Sequence, residues 1–303
     1  HTHKIFAGMF GVKKIESLSW TSIINSLDNN EREINRNWLC YDMYVLNNVI
    51  KNIDNKDILV HSPYKLFPNE NVIDFPISYK DDNYKYEELW SIVKSVVWVV
   101  EKNWKNPDKG IWEFRNEDQH FTFSKVLCWV AIDRAIKISN IIQRGEKAKK
   151  WETLRNKIRE DIMNNAWCSD KKAFTQIYGS SDLDASVLLM ESYGFIEAKN
   201  PKYISTVEAI GRELLKNDLL FRYKNNDDFG EPKSSFTVCT FWYINSLFKT
   251  GKIEESKKLY DKLLSYSNHL GLFSEDLDFK SKELLGNFPQ AYSHLALIDT
   301  ALN

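Results

Sequence analysis

The sequence is short of the features that mark disulfide-rich, metal-binding and membrane proteins. Its four cysteines, Cys40, Cys128, Cys168 and Cys239, lie far apart, without a CxxC pair or a histidine at zinc-ligand spacing. No run of about 20 apolar residues is long enough to cross a membrane, and no glycine-rich phosphate loop is present. Isolated cysteines favour a reducing compartment, so we expect a cytoplasmic protein without a bound metal.

Neither sign of charge is in excess. The chain has 41 Lys and Arg against 42 Asp and Glu, which gives a formal net charge of −1. A balanced chain creates no general field that attracts nucleic acid or an anionic membrane, and its basic residues do not cluster with aromatic residues. We therefore expect neither nucleic acid nor a membrane as a partner.

Aromatic side chains, in contrast, are abundant, at 14% of residues with ten tryptophans. Such rings form the stacking walls of carbohydrate sites, but large helical cores use them as well. Composition alone favours the core interpretation, so the sequence around individual rings has to separate the two.

Apolar residues recur at helical spacing over most of the chain after residue 84. In 85–104 one face is predicted to be buried, formed by Leu89, Ile92, Val93, Val96, Val97 and Val100. Residues 123–143 and 234–251 are apolar enough for helices that are buried on most sides. Residues 147–167 and 252–268 have the mixed pattern of helices with one exposed face.

Several helix ends are also indicated. Asn200 followed by Pro201 predicts an N-cap and a first helical turn, in a helix that runs to about 216. Gly251 predicts the C-terminal cap of one helix, and Pro289 predicts the start of the last.

Buried and exposed helices alternate, as they do in an α/α toroid or a helical-repeat solenoid. The chain has no fixed 34- or 40-residue period with a recurring signature, which favours the toroid and an all-α class. Residues 58–83 contain three prolines and predict a long loop. We expect this loop to interrupt a single domain, 1–303, and not to divide two.

Carboxylates are the candidate catalytic groups, because no Ser-His-Asp or Cys-His arrangement is indicated. Glu113 follows Trp112 in a turn before a buried helix. A glutamate against an indole loses water around its charged form, which favours a protonated acid that can donate. Glu275 lies in a second loop after a helix. Two carboxyls flanking a bond are the minimum for glycoside hydrolysis, although 42 acidic residues offer many other pairs.

The stretch around Glu113, PDKGIWEFRNEDQHFTFSKVLCWVAIDRA, closely resembles a signature of glycoside hydrolase family 15, with its glucoamylase-like and trehalase-like enzymes. The similarity continues in the family's order through YGSSDLDASVLLM, TVEAIGRELL, LLFRY, FTVCTFWYINSL, GLFSEDLD and GNFPQAYSHLALIDTAL. These ordered segments cover about residues 86–303, which makes the resemblance specific.

The resemblance implies an (α/α)6 toroid of six inner and six outer helices that hydrolyses α-linked glucosides with inversion, releasing β-glucose without a cofactor. Glu113 matches the family's general acid and Glu275 its general base, with carboxyls roughly 6.5–9.5 Å apart in inverting enzymes. Trp112 matches a wall of the innermost sugar subsite, and Arg222 matches a sugar-binding arginine.

The same resemblance assigns three further residues to the sugar pocket, namely Arg115, His120 and Lys125. His120 and Lys125 also have an alternative role, which is to brace the loop that carries Glu113. The expected substrate is an α-linked glucose disaccharide or oligosaccharide, with short α-glucosides favoured over starch because no starch-binding module is visible.

The resemblance also implies a toroid that is incomplete at its N-terminus, because the family's N-terminal β-domain and first helices find no counterpart in this chain. An incomplete toroid exposes the face of an inner helix. We therefore expect association with the missing N-terminal segment or with another subunit.

Two other functions stay open on the sequence. The first is a non-catalytic carbohydrate-sensing or regulatory protein on the same fold. The second is a helical-repeat interaction protein, suggested by the hairpin-like stretch KTGKIEESKKLYDKLL, which has no further copies. Glu113 separates them, because a catalytic acid controls turnover whereas a packing residue controls only stability.

Overall fold

The computed structural model describes residues 86–142, 144–145, 148–225 and 230–303. All of them belong to one compact unit of the chain. The predicted loop at 58–83 and the N-terminal part of the predicted single domain lie outside the described residues.

Helices account for most of the described chain. The eight α-helices of the described residues are α1 (Tyr86–Asn103), α2 (Thr122–Ile141), α3 (Ala148–Asn165), α4 (Leu189–Ser192), α5 (Pro201–Leu214), α6 (Thr237–Lys249), α7 (Ile253–Leu264) and α8 (Ala291–Ala301). A 3-10 helix, Ala185–Leu188, leads into α4. The helices predicted from apolar periodicity are confirmed, with ends that differ by a few residues.

The strands of the described residues are short and pair antiparallel in three small sheets. They are β1 (Trp167–Cys168) with β2 (Ala173–Phe174), β3 (Leu215–Lys216) with β4 (Leu219–Leu220), and a three-stranded sheet of β5 (Ser234–Phe236), β6 (Asp276–Asp278) and β7 (Leu284–Leu285), with β6 in the centre. In the last sheet, Phe236 lies opposite Asp276. These strands connect helices, so the class remains all-α.

Helix α6 forms the centre of the core. Its residues from 237 to 247 are all buried, and α7 and α8 pack against it. Helix α7 buries only Ser256, Leu259 and Leu263, so it is the amphipathic partner that the sequence predicted. Helices α2 and α3 form a second pair of this kind.

The predicted start of α5 is confirmed in atomic detail. Asn200 accepts a hydrogen bond from the Lys202 backbone N–H at 2.9 Å, and Pro201 is the first helical residue. Such an N-cap stabilises a helix by about 1 kcal/mol. Gly251 follows the end of α6 with a φ of +90°, as expected of a glycine C-cap.

The predicted start of the last helix is wrong by two residues. Helix α8 begins at Ala291, and the side chain of Gln290 accepts from the Tyr292 backbone N–H as its cap. Pro289 lies before this cap, in the loop that approaches Glu275. The physical reason is that the side chain of Gln290 accepts a hydrogen bond from a backbone N–H of the first turn that has no partner within the helix. A proline side chain cannot accept such a bond.

The predicted buried face of α1 is partly wrong. Trp90 and Val97 are buried, but Ile92 and Val96 are 59% and 44% exposed, and Trp98 is 60% exposed. Helix α1 is apolar on more than one face, so periodicity did not identify which face packs against α2. Among the described helices, none combines the length and the apolar character that a bilayer crossing requires.

Candidate active site

The segment before α2 is a tight turn that presents Trp112 and Glu113. The backbone N–H of Phe114 donates to the Lys109 carbonyl at 2.9 Å, and that of Glu113 donates to the Gly110 carbonyl at 3.2 Å. Gly110 has a φ of +68°, and a Cβ there would lie 2.8 Å from the Phe121 ring. Only glycine fits this position without displacing the ring that supports the turn.

The indole of Trp112 is fixed at both its polar and its apolar edges. Its Nε1–H donates to Asp184 Oδ2 at 2.8 Å. Its ring lies 6.0–6.3 Å, centroid to centroid, from the rings of Phe236, Tyr223 and Trp242. The residue is half-buried, so part of its surface remains accessible to solvent.

Glu113 differs from the prediction in its surroundings. Its side chain is exposed, so the dry environment expected from the neighbouring Trp112 is absent. Glu113 has a left-handed backbone, with a φ of +54°, which is uncommon for a residue other than glycine.

Glu275 lies immediately before β6 and is held by the opposite loop. Its Oε2 accepts from the Asn287 backbone N–H at 3.1 Å and from the Asn287 side-chain amide at 2.8 Å. A Cβ on Gly286, whose φ is +74°, would lie 2.8 Å from the same oxygen. The loop therefore approaches the carboxylate as closely as a glycine allows.

The three-stranded sheet brings these two parts of the chain together. The Thr237 backbone N–H donates to the Glu275 carbonyl at 2.9 Å, which places Glu275 beside Phe236. The Phe236 ring in turn contacts Trp112, the neighbour of Glu113. Trp112 and Glu275 thus belong to one cluster through Phe236, and Glu113 is the residue that follows Trp112 in the chain.

Arg222 is the cationic member of this cluster. Its carbonyl accepts from the Ala185 backbone N–H at 2.9 Å, next to Asp184. Burial raises the pKa of Asp276, and the charge of Glu275 adds to this rise. A hydrogen bond from Ser234 and the charge of Arg222 act in the opposite direction. Arg222 therefore lies within electrostatic range of the residue that follows Glu275.

Lys125 is placed differently from the other predicted site residues. It is 2% exposed, and its ammonium donates to the backbone carbonyls of Trp104 and Asn106. Burial lowers its pKa, while the charge of Asp108 opposes this shift. These contacts favour the bracing role for Lys125, because its donors face the loop between α1 and the Glu113 turn.

His120 and Arg115 lie on the same loop, further from the Phe236 contact. The His120 ring stacks on Tyr178 at 5.9 Å, and its carbonyl accepts from the Tyr178 backbone N–H at 3.0 Å. The pairing ties the end of the loop to the segment after β2. Arg115 is exposed.

Asp184 and Asn287 are site residues that the sequence analysis missed. Asp184 is 1% exposed and accepts from Trp112, from Gln176 Nε2 at 2.7 Å and from the Ser186 backbone N–H at 2.7 Å. Asp184 in SSDLDASVLLM precedes an apolar helical run as an N-cap does, and this signal could have identified it. No sequence signal indicated that Asn287 would reach Glu275.

A cavity of about 330 Å³ lies elsewhere in the described residues. Its charged and amide lining residues are Lys171, Asp182, Arg212, Glu213, Lys224 and Asn225. None of the predicted site residues lines it. We place the candidate site at the Trp112 and Glu275 cluster, since this cluster holds a fixed indole, which the cavity lacks, together with a carboxylate held by hydrogen bonds.

The sequence of this chain is similar to those of known glycosidases. The model of glycosyl hydrolases family 15 matches residues 71–302. The trehalase of Mycobacterium tuberculosis is 40% identical over 222 residues, which are 72% of this chain and 32% of that protein. The trehalase of Thermoplasma volcanium is 37% identical over 214 residues, which are 70% of this chain and 34% of that protein.

The fold has a match among solved structures. A bacterial glucoamylase complexed with acarbose superposes with a TM-score of 0.59 at 16% identity, covering 71% of this chain and 37% of that chain. The predicted all-α toroid class is therefore confirmed. The chain spans about a third of the length of the trehalases it matches, and it belongs to glycosyl hydrolases family 15.

Proposed function

We propose that this chain carries the catalytic site of an inverting exo-acting α-glucosidase that releases β-glucose and uses no cofactor. The observation that supports the proposal most is the contact of Phe236 with Trp112, beside the backbone bond that holds Glu275. This arrangement joins the proposed sugar-stacking surface, next to Glu113 in the chain, to the segment that carries Glu275.

Glu113 is the proposed general acid and Glu275 the proposed general base. Glu113 gives its proton to the glycosidic oxygen as the bond to the anomeric carbon breaks. Glu275 takes a proton from a water that attacks the same carbon from the opposite face, which inverts the configuration. Asn287 occupies Oε2 of Glu275. Within the described residues, no hydrogen bond reaches Oε1, which leaves that oxygen to receive the proton.

The remaining predicted site residues have separate roles in the proposal. Trp112 stacks against the apolar face of the innermost glucose, and Arg222 donates hydrogen bonds to its hydroxyls. Arg115, exposed on the Glu113 turn, contacts the outer sugar. His120 and Lys125 hold the loop, and their effect on sugar binding is indirect.

The proposed substrate is trehalose. Both relatives described above are named trehalases, and the identity to them is more than twice that to the glucoamylase. This proposal narrows the sequence-based preference for short α-glucosides to one disaccharide.

The exposed side chains of α1 support the proposed association with a further segment or subunit. Ile92, Val96 and Trp98 expose large apolar side chains on one helix, as a helix that packs on a further segment or subunit does. Light scattering tests this proposal. We expect the mass of the isolated chain to rise with concentration, and a constant monomeric mass would contradict association between copies.

The function is tested by following glucose release from trehalose, maltose and maltotriose by proton NMR, which reports the anomer formed first. We expect β-glucose first, fastest from trehalose, and release by Glu113→Gln that is slower by roughly 10²–10⁴-fold. Initial α-glucose would contradict inversion, and faster release from maltotriose would contradict the substrate. No release from any sugar by a folded wild-type chain would favour the carbohydrate-sensing alternative.

A further inference from the structure

Trp112 and Glu113 are adjacent in a turn that is closed by backbone hydrogen bonds, none of which holds the indole ring itself. The contacts that fix the indole come from outside the turn, and the only polar one within the described residues is the bond from Nε1–H to Asp184. Asp184 does not face the solvent, so it is a part of the structure that a substrate would not touch.

The carboxylate of Asp184 is surrounded by donors. Oδ1 accepts from the Ser186 backbone N–H, and Oδ2 accepts from both Trp112 and Gln176. An indole and a backbone N–H can only donate. The amide of Gln176 is oriented by Asn225, whose Nδ2 donates to Gln176 Oε1 at 3.0 Å, so Gln176 also presents its donor to Asp184. Three donors require an acceptor at both oxygens, which a carboxylate supplies and an amide does not.

We propose that Asp184 is a positioning residue for the reaction. Its buried carboxylate fixes the Trp112 indole, and with it the turn that carries Glu113, in the orientation that the innermost sugar requires. This inference rests on the proposed function for its effect on turnover, but the hydrogen bond itself can be tested without any activity.

A second feature supports this role. Burial raises the pKa of Asp184, while the hydrogen bonds from Ser186, Gln176 and Trp112 act against this rise. A buried carboxylate without these donors would be costly in the charged form. The donors and the carboxylate therefore stabilise one another, and the network has one low-energy arrangement.

The first measurement is the indole N–H signal of Trp112 in protein labelled with ¹⁵N-tryptophan, assigned by its loss in Trp112→Phe. We expect a downfield signal that exchanges slowly with water, as an indole bonded to a carboxylate gives. Exchange as fast as that of an exposed indole in the wild-type protein would overturn the proposal, and this result does not depend on the folding of any Asp184 variant.

The second measurement is the isosteric change Asp184→Asn, with Asp182→Asn as the matched control. Asp182 lies two residues away with an exposed side chain. We expect Asp184→Asn to shift the Trp112 signal and to lower kcat/KM for trehalose by about 10- to 100-fold, the scale of a small misplacement in an active site. Asp182→Asn should leave both unchanged.

The double variant Trp112→Phe/Asp184→Asn separates positioning from a general structural effect. If Asp184 acts through the indole, Asp184→Asn should cost much less activity once the indole N–H is gone. An equal loss in both backgrounds would overturn the proposal. If the wild-type chain hydrolyses nothing, the proposed function fails, while the indole signal still decides whether Asp184 holds Trp112.

Discussion

The two candidate catalytic glutamates are held in different ways. Glu275 receives two hydrogen bonds on its own carboxylate from Asn287, and its carbonyl accepts from the backbone N–H of Thr237, the first residue of α6. Glu113 is exposed at a left-handed position, and the neighbouring Trp112 provides the contacts to the core. One carboxylate is oriented directly, and the other through the side chain beside it.

This difference suits the two proposed tasks. A base that activates water acts on a small molecule with no anchor of its own, so the base itself has to be fixed. An acid that protonates a bridging oxygen meets a sugar that the neighbouring wall already orients. In the proposed mechanism, rigidity thus lies at the base, Glu275, and substrate contact lies next to the acid, Glu113.

The largest expected effect comes from removing either carboxylate. Glu113→Gln and Glu275→Gln should each lower kcat on trehalose by roughly 10²–10⁴-fold, the contribution of a positioned acid or base. On α-glucosyl fluoride the two variants should differ. Fluoride leaves without protonation, so Glu113→Gln should recover most of its rate, whereas Glu275→Gln should stay slow.

Circular dichroism and denaturant titration serve as the controls for these two variants. Both should fold as the wild type does, because neither side chain is buried. Equal losses on the fluoride and on trehalose in both variants would refute the assignment of acid and base.

A medium effect is expected at two glycines, one near each glutamate. Gly286→Ala and Gly110→Ala both force alanine into a left-handed backbone, which costs about 1–2 kcal/mol. Gly286→Ala additionally brings a Cβ to 2.8 Å from Glu275 Oε2, and Gly110→Ala brings one to 2.8 Å from Phe121. We expect Gly286→Ala to lower kcat by more than its loss of stability explains, and Gly110→Ala to lower mainly stability.

Gly251→Ala is the matched control for both glycines. Gly251 has a φ of +90°, and a Cβ there meets nothing within 4 Å, so this variant reports backbone strain alone. Urea titration gives the free energy of unfolding, and initial rates on trehalose give kcat. A Gly286→Ala variant with unchanged kcat would show that the loop at 286 does not orient the base.

The smallest effect is expected from pH. Burial lowers the pKa of His294 from its usual 6.5, and the hydrogen bond to the Gln290 carbonyl opposes this shift. The unfolded chain therefore binds a proton at a pH where the folded chain does not. The free energy of unfolding should therefore fall as the pH drops below 6.5. The contribution of neutral His294 is lost progressively until the pH reaches the lowered pKa of the folded state.

His294→Gln isolates this contribution. A glutamine can accept from the Phe273 backbone N–H and donate to Gln290, as the imidazole does, but it does not titrate. The difference in unfolding free energy between the two proteins should narrow as the pH is lowered below 6.5. A difference that is constant with pH would contradict the role of His294 titration.

The helical scaffold could be predicted from the sequence because local rules determine it. Apolar spacing identified α2, α6 and α7, and the Asn200 cap followed from side-chain chemistry that acts within three residues. The exposed face of α1 could not be predicted, because spacing shows that a helix is apolar but not what packs on it. Ile92 and Val96 lie on this face.

The candidate site could be predicted less far than the scaffold. The resemblance pointed to Glu113, Glu275 and Trp112, and the structure links Trp112 to Glu275 through Phe236, while the catalytic roles stay predictions. The exposure of Glu113 depends on a left-handed backbone that the sequence does not reveal. The support from Asp184 depends on a contact across 72 positions of the chain, which no local pattern encodes.

Helix α6 begins with Thr237, whose backbone N–H donates to the Glu275 carbonyl, and its next ten residues are buried. The proposed base is therefore hydrogen-bonded to α6, the helix at the centre of the buried core. On heating, the position of Glu275 should persist until the whole unit melts. Substitutions that aim to change the sugar preference are therefore better made at Arg115, on the exposed turn. Substitutions around Glu275 are expected to lower the thermal stability as well.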